Sequence, residues 1–154
     1  MNIVDKILVD PITRGLKFFT KGGACLRLGE RIGATISTGA TLTSGVATDC
    51  ASLALPAGVW TVYGKIYFER TVAPTTWAVV TACINTVSAV RDQTNEVAVQ
   101  AATVGNDLAI APAPYYLNVG APTTVYLVGT ANYSGGAIRM DGVSLSYFFA
   151  VRAG

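Results

Sequence analysis

Apolar and polar residues alternate with a period of two along much of this chain. From Trp60 onward, Trp60, Val62, Gly64, Ile66 and Phe68 fall on one face of an extended segment, and Thr61, Tyr63, Lys65, Tyr67 and Glu69 fall on the other. The turn Pro56-Ala57-Gly58 precedes this run, so the pattern predicts a half-buried antiparallel strand. A second such strand, Thr124 to Tyr133, runs into the turn Ser134-Gly135-Gly136, and a last strand ends close to the C-terminus.

The same reading predicts strands over 24–28, 34–43, 52–55, 59–70, 76–87, 95–102, 115–119, 123–133 and 142–152, with separators rich in Gly, Pro, Asn, Asp and Ser. Eight or nine strands with short connections predict an all-β fold: a two-sheet antiparallel sandwich, of jelly-roll type at this length. The segment 101–114 is the largest irregular connection, with a short strand or turn over 108–111. No internal repeat or heptad pattern is visible.

Two strands are apolar on both faces. In 76–87, Ala78, Val80, Ala82 and Ile84 alternate with Trp77, Val79, Thr81 and Cys83. In the last strand, Val143, Leu145, Tyr147, Phe149 and Val151 alternate with Ser144, Ser146, Phe148 and Ala150. A strand of this kind is covered on both sides. One side is the sandwich core; without a long amphipathic helix, the other is expected to meet an arm or another subunit. The candidate interface is therefore Trp77, Val79, Thr81, Cys83, Ile84, Tyr147, Phe148 and Phe149.

Residues 1–33 mix apolar and charged positions, broken by Pro11, Gly15, Gly22, Gly23 and Gly29, and read as an N-terminal arm ahead of a β-sandwich domain at 34–154. Within it, 2–9 forms either a short helix or an extended strand. Ile3, Ile7, Leu8, Ile12, Leu16, Phe18 and Phe19 are too apolar to stay in water and too few for a core, so the arm is expected to anchor on a neighbour.

Composition sharpens this picture. Of 154 residues, 51% are hydrophobic and 13% charged, which is apolar for a monomer of this length and predicts contacts between subunits. No run approaches the roughly 18 uninterrupted apolar residues of a spanning helix, so no membrane partner is expected. Asp5, Lys6 and Asp10 interrupt the apolar N-terminal positions, so no secretion signal is expected and assembly is placed in a cytoplasm. Net charge is +2, and the densest basic stretch, Lys17, Lys21, Arg27 and Arg31, reads as a solvated segment; no nucleic-acid partner is expected.

The chain contains no histidine, which removes the usual general base and most transition-metal sites. Nine carboxylates are scattered, and the nearest pair, Asp92 and Glu96, lies in a polar run that reads as a solvated loop. Cys25, Cys50 and Cys83 are too few and too far apart for a metal cluster and read as packing residues. No catalytic residue, metal or cofactor is expected. Tyr63, Tyr67, Tyr115, Tyr116 and Tyr126 are candidate glycan contacts, although those alternating with core residues equally suit a subunit interface.

The run Leu53 to Val62, the strand Thr124 to Ala131 with Ser134-Gly135-Gly136, and the terminal Ala150-Val151-Arg152 together resemble the trimeric jelly-roll domains of tailed-bacteriophage structural proteins. That group includes capsid decoration (cement) proteins and tail-fibre heads, and is related in shape to tumour-necrosis-factor-like heads. The resemblance covers about residues 50–152 and implies a homotrimer in a virion, assembled in the host cytoplasm and bound to the major capsid protein or another virion protein. Only about 33 residues precede the first clear β hairpin, less than the shaft of a tail fibre. The expectation is therefore capsid decoration, with the receptor-binding head of a short tail fibre or spike, holding a host-surface glycan, as the alternative.

Overall fold

A computed structural model describes residues 4–9, 16–20, 25–34, 36, 39–74, 76–100, 107–141 and 145–153, with side chains placed from residue 29 onward. Every regular element among them is a strand. β1 (Val4–Val9), β2 (Leu16–Thr20) and β3 (Cys25–Leu28) pair antiparallel with one another in a three-stranded sheet. Of the helix and strand readings, the strand is the one found, over Val4–Val9.

The sandwich is built from β4 (Arg31–Gly33), β5 (Ala40–Thr41), β6 (Thr48–Leu55), β7 (Gly58–Val72), β8 (Thr76–Asn85), β9 (Val97–Gln100), β10 (Leu108–Ile110), β11 (Tyr115–Val119), β12 (Thr123–Ser134), β13 (Ala137–Asp141) and β14 (Tyr147–Arg152). β4 pairs with β14, Gly33 opposite Phe149 and Arg31 opposite Val151. Arg31 to Gly33 thus belong to the sandwich, and the arm boundary drawn at residue 33 is corrected to lie before β4. The sequence reading places no strand over 137–141; β13 is a strand of its own, following the Ser134-Gly135-Gly136 turn.

β7 is the spine of the first sheet. Along one edge run β11, opposite Gly58 to Val62, and β10, opposite Ile66 to Phe68. Along the other run β14, opposite Trp60 to Lys65, and β13, opposite Tyr67 to Val72. Each pair is one interrupted strand. The β10–β11 break holds Pro112 and Pro114, which lack the N–H a ladder needs. At the β13–β14 break, the Ser146 hydroxyl accepts from Tyr67 N–H (2.8 Å) and donates to the Asp141 carbonyl, replacing ladder bonds. Beyond them, β4 on β14 and β5 on β13 form a third interrupted strand.

The second sheet has the order β6-β12-β8-β9. Counting each interrupted pair as one, the sandwich among the described residues has eight strands, in orders 1-8-3-6 and 2-7-4-5 along the chain. That is the jelly roll: two four-stranded antiparallel sheets face to face.

The core lies between the sheets. Trp60, Val62, Ile66 and Phe68 of β7 meet Val125, Leu127 and Ala131 of β12 and Val80, Ala82 and Ile84 of β8, with Ile138, Met140 and Phe148 closing in. Each fully buried large side chain contributes about 1.5–3 kcal/mol of transfer free energy. At two glycines the facing sheet leaves no room for a side chain. A Cβ on Gly64 would lie 2.6 Å from Leu127 Cδ1, and one on Gly129 would lie 2.7 Å from Met140 Sδ.

A bulge in β8 changes one expectation. The register shifts between Asn132 and Tyr133, which pair with Val79 and Trp77, leaving Ala78 as the extra residue. Trp77 therefore turns onto the core face with Val80 and is 3% exposed, instead of lying outward with Val79.

Candidate self-association face

The two sheets turn very different outer faces away from the core. On the second sheet, Val79, Thr81 and Cys83 of β8 point outward opposite Asn132, Thr130 and Val128 of β12. Thr81, Cys83, Val128 and Thr130 are nevertheless buried. The connection from β8 to β9 folds back over this face. Ser88 Oγ and Ala89 N–H donate to the carboxylate of Asp49 on β6, the latter at 2.7 Å, while Asp92 N–H points at Cys83 Sγ at 3.3 Å.

Asn95 locks that connection. It accepts from Ile84 N–H (2.7 Å) and donates from its amide to Ile84 O (2.7 Å) and Asp92 Oδ2 (2.8 Å), imitating a paired strand. Asp92 also accepts from the hydroxyl and N–H of Thr94, bonds that outweigh its partial desolvation and hold its carboxyl below the usual value. Asp92 and Glu96 are thus loop-fixing groups, Glu96 through Arg91. Burial pushes the Cys83 thiol up and the Cys50 thiol up to about 12; both cysteines are free and packed.

The expected interface set therefore divides. Ile84 and Phe148 are core residues, Trp77 is turned inward by the bulge, and Thr81 and Cys83 are roofed over by the chain itself. None of these five offers a free surface: all are buried, and the β8–β9 connection lies against Cys83. Val79 stays partly exposed. Tyr147 and Phe149 are the members that lie on an open face.

That open face is the outer side of the first sheet. Tyr147, Phe149 and Val151 pair with Lys65, Tyr63 and Thr61, all turned away from the core. Tyr63 stacks on Phe149 with ring centroids 5.1 Å apart, and Tyr147 lies 5.7 Å from Phe149. Tyr116, opposite Thr61 on β11, extends the same side and is 66% exposed; Tyr147 is 41% exposed. Arg31 places its guanidinium carbon 4.0 Å above the Phe149 ring, and Lys65 Nζ lies 5.3 Å from the Tyr147 centroid.

Beyond the strand interruptions the same sheet changes character. Glu69 pairs with Arg139 and Asp107 with Arg70. Burial raises the Asp107 carboxyl, but bonds from Arg70 N–H, the Tyr67 hydroxyl (3.0 Å) and the Arg70 guanidinium more than offset it, leaving the carboxyl below its ordinary value. Tyr67 is raised in turn, chiefly by its bond to Asp107. At the far end Arg152 pairs with Glu30, donates to the Ala57 carbonyl and lies over the Trp60 ring.

Of the tyrosines proposed as glycan contacts, the structure brings Tyr63 and Tyr116 onto the aromatic face and Tyr67 into the ion-pair half. Tyr115 points inward against the core, because it pairs with Val62, and Tyr126 lies on the outer side of the other sheet, paired with Ser52 and Asn85. Of the arm residues, Ile3 and Ile12 lie outside the described residues, while Ile7 and Leu8 sit on β1 and Leu16, Phe18 and Phe19 on β2. Among the described residues no group of three or more potential ligands is placed to hold a metal, and no helix is long and apolar enough to cross a membrane. The sequence reading missed that Arg31 and Lys65 join the aromatics; the signal was the outward period of β7, Tyr63-Gly64-Lys65.

No protein-family model and no curated protein matches this chain. Among solved structures it is similar to that of infectious bursal disease virus, Gt strain, at 17% identity and a TM-score of 0.49, and to that of the Gx strain of the same virus, at 16% identity and a TM-score of 0.46. Each alignment covers 98% of this chain and 37% of the other, so the chain spans little more than a third of these viral chains.

Proposed function

We propose that this chain is a non-catalytic structural protein of a virion, a homotrimeric capsid decoration (cement) protein that assembles through the outer face of its first sheet. One observation carries the reading: the β8–β9 connection folds over the outer face of the second sheet, whereas on the first sheet the clustered aromatics Tyr63, Tyr147 and Phe149 face outward, half-buried to exposed, with no such connection among the described residues. A contiguous exposed apolar patch of this kind marks an interaction surface. With the patch turned toward a threefold axis, three copies bring their patches together around that axis.

In this reading the N-terminal arm fastens the trimer to the major capsid protein or another virion protein, and the contacts act together through avidity. The chemistry needed is burial of apolar surface, which suits a chain without histidine. The test is thermal: particles carrying the protein should retain their genome to a higher temperature than stripped particles, and purified protein should sediment as a trimer at micromolar concentration. Tyr116, well exposed beside the patch, favours a second reading as the receptor-binding head of a short fibre or spike. Equal release temperatures for the two particles, with glycan binding by the trimer, would select that reading instead.

A further inference from the structure

Charge is balanced almost everywhere in the sandwich except on its aromatic face. Between residues 29 and 154 the chain has the cations Arg31, Lys65, Arg70, Arg91, Arg139 and Arg152. The last four each hold a carboxylate: Asp107, Glu96, Glu69 and Glu30. Arg31 and Lys65 hold none among the described residues, and both stand over rings of the same patch. The remaining placed carboxylates are committed as well, Asp49 to the β8–β9 connection, Asp92 to Thr94 and Asn95, and Asp141 to a partner of its own.

Copies that turn this face to a common threefold axis therefore bring their Arg31 and Lys65 together, with no uncommitted carboxylate among the described side chains of the sandwich. Burying a charge against aromatic rings alone recovers only part of its lost hydration. We infer that the assembled face binds an oxyanion, of the phosphate or sulfate class, between Arg31 and Lys65 of adjoining copies. The inference rests on the self-association proposed above, because the site is incomplete in a single chain. Arg31 supplies a planar fork suited to two oxyanion oxygens, and Lys65 supplies a compact point charge.

The experiment uses the full chain. Its oligomeric state is followed by sedimentation and its melting temperature by calorimetry, in chloride buffer and in inorganic phosphate or sulfate of matched ionic strength. The expected result is a saturable rise in the melting temperature of the oligomer, complete within the low millimolar range, that disappears in Arg31→Gln/Lys65→Gln while that variant stays oligomeric. An oligomer whose melting temperature rises without saturation, or rises equally in the double variant, overturns the oxyanion site and leaves the assembly reading standing. A chain that is monomeric in every buffer overturns both. An oligomer indifferent to anions but dissociated by Asp5→Asn assigns the countercharge to the arm and overturns the oxyanion site.

Discussion

The outer face of the second sheet and that of the first start from similar material and end differently. Both carry apolar residues where an uncovered sheet would carry polar ones: Cys83 and Val128 on one, Phe149, Val151 and Tyr63 on the other. The second is closed by hydrogen bonds, because Asp49, Asn95 and Ile84 give the β8–β9 connection fixed points on both sides of β12. On the first, rings and two cations face outward, with no such hydrogen-bonded connection over them among the described residues. A strand that is apolar on both sides thus announces that something covers it, but not whether the cover is the chain itself or another molecule.

The largest effects should come from placing the same charge in the core and on the open face. Ile84→Asp buries an unpaired carboxylate in the core and should abolish folding, since the cost is several kcal/mol, on the order of the whole stability. Phe149→Asp should leave a folded sandwich, judged by circular dichroism, and dissociate the oligomer in sedimentation. A folded, still trimeric Phe149→Asp protein would place the interface elsewhere.

Unroofing the second face comes next. Asn95→Ala removes three hydrogen bonds and leaves both Ile84 backbone groups without that partner, for a loss of about 2–4 kcal/mol in denaturant unfolding. It should also make Cys83 react with a thiol reagent under native conditions, where the wild-type thiol is protected. Gly64→Ala should cost about 1–3 kcal/mol, because its new methyl meets Leu127 at 2.6 Å across the sandwich.

Acid should weaken both regions. The Asp92 and Asp107 carboxyls are held below their ordinary value of 3.8 in the folded chain, so the unfolded chain binds protons first as pH falls. Their contribution is present in full above that ordinary value and is lost as pH drops through the lowered folded values. Asp92→Asn should flatten this part of the stability-against-pH curve. The smallest change expected is a gain: the Thr130 hydroxyl is buried beneath the second face without a partner, and Thr130→Val should raise stability by about 1 kcal/mol.

The alternation in β7, with Trp60, Val62, Ile66 and Phe68 inward, is as legible in the sequence as in the structure, because a two-residue period has one physical meaning in a half-buried strand. The sandwich class followed from it. Trp77 was not legible: a single bulge at Ala78 reverses every face assignment beyond it, and its cause is the pairing with β12, which lies about fifty residues away in sequence. Nor was the role of Asn95, which in sequence is one polar residue in a polar loop and in space closes a ladder. On the aromatic face the residues were identifiable singly, as Tyr63, Tyr147 and Phe149, but their union required the register of β7 against β14.

The three broken strands around β7 all break at one level, near Gly64 to Ile66, so only β7 passes through unbroken. Register is consequently keyed twice, once by the pairs of β14 and β11 and again by those of β13 and β10, and a slip in one half is not transmitted to the other except along β7. Chain length can therefore change at 111–114, a connection that bridges this level, without shifting the register of β10 or β11 on β7. The jelly roll is thus jointed across its first sheet, and its ring-bearing end is free to be rewritten for a new partner while its ion-paired end keeps the fold.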